Sequence, residues 1–187
     1  GDANDNIAIG KSAGTSITTG SSNILIGFES GKALTDNSST ICIGYQSGVA
    51  LVSGASENTF IGHQSGLKLG RVVSDGNTAL GNLSLGGGHD TTSVNTANNN
   101  IAIGYKSVGG ITGSSTALTA QYNVGIGVLT MPSISSGASN VAIGYTAGQA
   151  LTTGDNYTLV GKQAGENITT GSNNLCIGSH TEASAAD

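Results

Sequence analysis

The chain has 187 residues, a formal net charge of −5 and charged side chains at only 9% of positions, against roughly 25% in typical domains. Six basic residues, among them the single arginine Arg71, exclude the clustered positive charge of a nucleic-acid binder. No stretch reaches the roughly 18 apolar residues of a membrane-spanning helix, so membrane insertion is not expected. With 31 glycines and no tryptophan, any core must consist of small and aliphatic side chains.

A short phrase ending in glycine recurs ten times along the chain. It consists of a β-prone residue, a usually small residue, an aliphatic residue and glycine, and its glycines are Gly10, Gly27, Gly44, Gly62, Gly81, Gly104, Gly127, Gly144, Gly161 and Gly178. The spacings are 17, 17, 18, 19, 23, 23, 17, 17 and 17 residues. A period of this kind predicts a solenoid in which each repeat is one coil. We therefore predict an all-β parallel β-solenoid of about ten 17-residue coils, forming a single domain over residues 1–187.

Each phrase predicts a short β-strand that is apolar on both faces. The second strand residue is usually Ala, Gly or Cys and fits the narrow interior of a flat coil, although Leu25, Phe60 and Leu159 need local room. The first and third residues must pack against something outside the coil, and the chain offers no other element to cover them. We predict that further copies of the chain do so, along a seam formed by Ile7, Ile9, Ile24, Ile26, Ile41, Ile43, Ile61, Leu80, Ile101, Ile103, Val124, Ile126, Val141, Ile143, Val160, Leu175 and Ile177.

Asparagine precedes the strand in eight of the ten phrases. Asparagine tolerates the positive φ of tight corners, and stacked asparagines bond to each other in repeated-strand stacks. We predict a corner ladder, with calcium ligation as the alternative, although residues 86–90 alone hint at the acidic calcium-binding repeat. Cys42 and Cys176 occupy the small second strand position, so we expect them to be buried hydrophobic residues rather than redox or metal-binding groups.

Departures from the 17-residue period predict inserted loops near residues 67–76, 86–98 and 108–120. Insertions in solenoids emerge on one face, which is often the binding face. The two longest insertions lie in adjacent coils and would form a collar. The candidate receptor contacts in it are His89, Asp90, Thr91, Thr92, Thr112, Ser114 and Ser115. The alternative is that these insertions have no binding role and are loops that the fold accommodates.

The residue after the repeat glycine is often aromatic or His. This column comprises Phe28, Tyr45, His63, Tyr105 and Tyr145. Rings stacked along a rod could bind sugars, or they could pack beside the seam and cover its aliphatic core. Both interpretations stay open from the sequence.

No residue pattern indicates catalysis, so we predict a protein without enzymatic activity, cofactor or metal. The three histidines share no motif with Ser or Cys, and the eleven acidic residues are scattered. A hexapeptide-type acyltransferase is a remote alternative, because residues 9–14 match one such hexapeptide but residues 15–20 lack its aliphatic start. An ice-binding solenoid is another remote alternative, but its flat face needs a regular Thr-x-Thr pattern. The threonine pairs of this chain are adjacent in sequence and would point to opposite faces of a strand, as in Thr18–Thr19, Thr152–Thr153 and Thr169–Thr170.

Residues 140–148 (NVAIGYTAG) and 43–48 (IGYQSG) resemble the repeats of phage and algal-virus tail-fibre proteins, and are similar to the head repeats of YadA-type trimeric autotransporter adhesins. The resemblance covers nearly the whole chain. It implies a left-handed parallel β-roll, three chains wound side by side and attachment to a host cell surface through a glycan or protein. The expected location is the virion surface, or otherwise outside the cell, with other fibre segments as neighbours. The alternative is the head of a bacterial adhesin, although those heads usually have shorter coils.

Overall fold

The computed structural model describes residues 3–69, 74–86, 95–109 and 117–182 and shows an all-β solenoid of about nine turns, with about 17 residues per turn. No helix occurs within these ranges. The predicted parallel β-solenoid is therefore confirmed. Since this part of the chain has no helix, it also has none that could span a membrane.

In the described part of the chain, ten three-residue strands form one parallel sheet, and each strand pairs with the next along the chain. The strands are β1 (Ile7–Ile9), β2 (Ile24–Ile26), β3 (Ile41–Ile43), β4 (Thr59–Ile61), β5 (Thr78–Leu80), β6 (Ile101–Ile103), β7 (Val124–Ile126), β8 (Val141–Ile143), β9 (Thr158–Val160) and β10 (Leu175–Ile177). We number the coils after their strands. The pairing keeps its register across both 23-residue spacings, so the additional residues do not interrupt the sheet.

The middle residue of each strand faces the interior, and its two neighbours face outward. From β2 to β10 the middle side chain is buried, while the flanking residues are half-buried or exposed. In β1 all three residues are exposed. The predicted alternation of an interior column and an outward column is thus confirmed from β2 onward.

The repeat glycines lie where successive coils touch. Their φ angles fall between +122° and +136°. A Cβ atom added to Gly127 would lie 2.5 Å from the carbonyl oxygen of Gly144 in the next coil. Glycine is required here both by the backbone conformation and by the close approach of the neighbouring backbone.

A second apolar column completes the interior, and the sequence analysis missed it. It stands seven residues after the repeat glycine, and its members are Ile17, Leu34, Leu51, Leu69, Ile134, Leu151 and Ile168. Leu34, Leu51, Leu69 and Leu151 are completely buried. These residues pack against the middle strand column from the opposite wall of the coil, so the core is a thin two-walled layer.

Glycine four residues after the repeat glycine gives the larger strand residues their room. A Cβ atom on Gly31 would lie 2.6 Å from Cδ2 of Leu25, and one on Gly66 would lie 2.7 Å from Cδ2 of Phe60. The large interior side chains therefore occupy the volume that a side chain at the glycine position would fill.

Coils 5, 6 and 7 invert this arrangement. Their middle strand residues are small (Ala79, Ala102, Gly125), and the position of the glycine is taken by buried side chains with positive φ, namely Leu85, Val108 and Met131. The interior volume is thus shared between two positions within each coil and its neighbours. Filling the core evidently outweighs the strain of these left-handed residues.

This exchange predicts strong coupling between Phe60 and Gly66. We expect Phe60→Ala to cost about 3–5 kcal/mol through its cavity, and Gly66→Leu to be destabilising through overlap with the ring. The double variant reproduces the small–large arrangement of coil 5, so its cost should be at least about 1 kcal/mol below the sum of the single costs. Urea unfolding at one protein concentration measures this, and strictly additive costs would contradict the shared volume.

Candidate functional site

All seventeen predicted seam residues lie on the outward face of the sheet, in the first and third strand positions. We call them the outer stripe. Toward the middle of the sheet Ile101 and Ile126 still expose 39% and 37% of their surface. Side chains of the two terminal strands are more open, and Leu175 is 67% exposed. No described element of the chain covers the stripe, so it forms an apolar band along the sheet.

The asparagines form the predicted ladder, but they lie inside the coil and not at a positive-φ corner. The positive φ falls on the residue before each of them, such as Gly76 before Asn77. The Oδ1 atom of Asn77 accepts the backbone N–H of Asn100 at 3.0 Å and its Nδ2 group at 3.2 Å. The Nδ2 group of Asn77 donates to Oδ1 of Asn58 at 3.1 Å and to the carbonyl oxygen of Ala97 at 2.8 Å. Buried and hydrogen-bonded in this way, the asparagines are structural. The Oδ1 atom of Asn77, the group that would have to bind calcium, already accepts two hydrogen bonds.

The first part of the aromatic column is a continuous stack. The ring centroids of Phe28 and Tyr45 are 5.3 Å apart with planes inclined by 10°, and those of Tyr45 and His63 are 5.1 Å apart at 11°. The rings therefore cover each other's faces and turn their edges outward. Tyr105 and Tyr145 lie on coils 6 and 8, with Val128 in place of a ring at this position of coil 7, and both tyrosines are exposed.

A polar ladder runs beside this stack, and the sequence analysis did not anticipate it. The Nε2 group of Gln46 donates to Oε2 of Glu29 at 2.8 Å, and that of Gln64 donates to Oε1 of Gln46 at 3.0 Å. Lys32 Nζ donates to Oε1 of Glu29 at 2.7 Å. Hydrogen bonds from Lys32 and then Gln46 lower the pKa of the Glu29 carboxyl, because they favour its charged form.

The predicted receptor-contact residues lie outside the described residues. His89, Asp90, Thr91 and Thr92 fall in 87–94, and Thr112, Ser114 and Ser115 fall in 110–116. The loop predicted near 67–76 likewise includes residues 70–73, which are not described.

Over the described ranges no group of three or more His, Cys, Asp and Glu residues is placed to hold a metal ion. Cys42 and Cys176 are free and buried, as predicted. Burial raises the pKa of the Cys42 thiol to about 12, and it also raises the pKa of Cys176, because a thiolate is poorly solvated in the interior.

Both thiols should therefore be inert in the folded protein. At pH 8 the Cys42 thiol, with its pKa of about 12, is ionised in only about one molecule in ten thousand, and the thiolate is the reactive form. Cys176 is 2% exposed, so the closed coil shields its sulfur from a reagent in solution. We expect no reaction of either cysteine with Ellman's reagent in buffer, and two equivalents of reaction in denaturant. Rapid labelling of the native protein would show that the coils open locally and would contradict the packed interior.

Comparisons of the chain with protein-family models, with curated proteins and with solved structures found no match.

Proposed function

We propose that the chain is a structural and adhesive segment of a homotrimeric fibre of the viral tail-fibre type that its repeats resemble. The observation that carries this proposal is the outer stripe, an unpartnered band of aliphatic side chains on all ten strands. Soluble monomers rarely expose a continuous apolar band of this extent, and such a band is typical of an interface.

Other copies of the same chain are suitable partners for the stripe. Stripes that meet around a common axis parallel to the rod would bury the same residues in every copy, in a closed cyclic assembly. Three copies is the number implied by the resemblance. The interior supports a stiff element, because the in-register parallel sheet and the asparagine ladder bond each coil to the next.

The adhesive part of the proposal concerns the surface that remains outside such an assembly. It includes the polar corners, the predicted loops and the column after the repeat glycine. A host-surface glycan or protein is the expected partner, and the location would be the virion surface or otherwise outside the cell.

Immunogold electron microscopy would test this assignment. An antibody raised against the chain should label thin fibres projecting from virus particles. Label on a bacterial outer surface would favour the adhesin-head alternative, and label confined to the cell interior would contradict an attachment role.

A further inference from the structure

Two columns of residues border the outer stripe, one on each side. The leading border stands two positions before the first strand residue of each coil and comprises Asp5, Ser22, Ser39, Glu57, Gly76, Asn99, Tyr122, Ser139, Asn156 and Asn173. The trailing border is the column after the repeat glycine and comprises Lys11, Phe28, Tyr45, His63, Asn82, Tyr105, Val128, Tyr145, Lys162 and Ser179. All of these residues are exposed except Gly76, which is half-buried. Both borders are therefore open surface beside the stripe.

The two borders carry complementary charges at the same coil levels. The leading border has two acidic residues, Asp5 on coil 1 and Glu57 on coil 4. The trailing border has Lys11 on coil 1 and His63 on coil 4. Neither of these same-coil pairs forms an ion pair within the chain, because the strand lies between the two members. Each acidic residue thus has a basic side chain at its own level on the opposite border.

The sizes of the border residues are also matched level by level. Four trailing rings share their coils with small polar leading residues, in the pairs Phe28–Ser22, Tyr45–Ser39, Tyr105–Asn99 and Tyr145–Ser139. On coil 7 the order is reversed, with Tyr122 on the leading border and Val128 on the trailing border. Tyr122 is 59% exposed and Val128 is 40% exposed. No coil carries a ring on both borders, so two copies could approach closely at every level.

A closed ring of parallel copies brings unlike borders together. When the ring axis is parallel to the rod, all copies have the same direction and height, so the leading border of one copy faces the trailing border of the next at the same coil level. A fully overlapping antiparallel pair would instead bring each border against itself, with coil 1 opposite coil 10. Lys11 would then face Ser179, and Glu57 would face Tyr122, so both charge matches would be lost.

We propose that the leading border of one copy packs against the trailing border of the next, and that this contact sets the direction and register of the assembly. The contacts are the pairs that share a coil. Lys11 pairs with Asp5 of the next copy, and the imidazole of His63 donates a hydrogen bond to the Glu57 carboxylate of the next copy.

The inference rests on the trimeric part of the proposed function and deepens it by naming the contacts between copies. It also narrows the adhesive surface to the polar corners and the predicted loops, because the column after the repeat glycine then lies between copies.

Crosslinking between introduced cysteines tests the pairing. Ser139→Cys combined with Tyr145→Cys puts one thiol on each border of coil 8, and the native Cys42 and Cys176 are buried. A bis-maleimide whose reach is below two coil steps, about 10 Å, joins only thiols at matching levels. We expect covalent dimers and trimers on a denaturing gel from the double variant. Either single variant should give monomers, because like borders do not meet.

Ser139→Cys combined with Tyr105→Cys is the matched control, since its second thiol also replaces a trailing tyrosine but lies two coils away. Equal crosslinking of this control, or crosslinking of a single variant, would overturn the pairing. Sedimentation of the samples before crosslinking separates this failure from that of the fibre. Trimers without the coil-8 crosslink would contradict the pairing alone, dimers with it would contradict the number of three alone, and monomers would contradict both.

Exchange of one charge pair gives a second measurement. Asp5→Lys and Lys11→Glu each bring like charges together at every contact of the ring, whereas the combined variant restores opposite charges. One exposed pair contributes little, but a trimer repeats it three times. We expect each single variant to raise the dissociation constant of the assembly about tenfold at low salt, and the combined variant to return it to within about twofold of the original value. A combined variant weaker than either single variant would contradict the pairing.

Discussion

Replacing Gly127 by alanine is expected to destabilise the solenoid by more than about 4 kcal/mol, among the largest effects of a single substitution. The new Cβ atom would lie 2.5 Å from the carbonyl oxygen of Gly144 and 2.9 Å from its carbonyl carbon. Because those atoms belong to the backbone of the next coil, the overlap cannot be relieved by a side-chain rotation. The φ of +136° adds strain for any residue with a side chain. Circular dichroism during chemical denaturation should show a greatly reduced midpoint or no folded protein.

Gly178→Ala separates the two causes. Gly178 has a φ of +122°, yet the nearest atom to an added Cβ is Cγ2 of Thr181 at 3.1 Å. This variant therefore reports mainly the backbone strain, and we expect it to cost clearly less than Gly127→Ala. Equal costs would show that the stacking distance between coils is not what requires glycine in the ladder.

Replacing Ile103 by aspartate is expected to abolish the proposed trimer. Ile103 is the third residue of β6, in register with Leu80 and Ile126, and it lies in the middle of the outer stripe. In a trimer the substitution would bring three carboxylates into an apolar interface, and an unpaired buried charge is strongly unfavourable. Light scattering coupled to size exclusion should show loss of the trimer, with monomers or aggregates in its place.

Thr153→Asp is the control for added charge. Thr153 is exposed at a polar corner away from the strands, so the same new side chain there should leave the assembly intact. An Ile103→Asp protein that assembles like the unaltered chain would show that the outer stripe is not the interface.

Much of the fold could be predicted from the sequence because glycine marks the period and no other residue type takes its position. From Gly10 to Gly161 the overlap with the next coil allows no side chain, so the ladder remains visible even where the coil lengthens. The alternation within a three-residue strand then determines which residues face inward. The predicted strands agree with those observed for this reason.

The second apolar column was missed because most of its members have no apolar residue two positions away, the spacing that marks a strand. Leu34 and Leu151, for example, have no apolar residue two positions away on either side that would mark a strand. The exchange of volume between Phe60 and Gly66 was also not predictable, since it depends on which side chains meet across the coil. Comparing the residues seven positions after each repeat glycine would have revealed the second apolar column.

The candidate site was predictable only in part. The sequence identified the aromatic column, but not whether its rings face each other or the solvent. Tyr45 stacks between Phe28 and His63 because the distance between successive coils is close to the separation of two stacked rings.

The mass of the unaltered chain in solution tests the central claim most directly. One chain has a mass of 18.3 kDa, so a homotrimer has a mass of about 55 kDa. Sedimentation equilibrium at micromolar concentration should give the trimer mass. A well-folded species of 18.3 kDa that persists as the concentration is raised would contradict the account, because it would show that the outer stripe is stable without a partner.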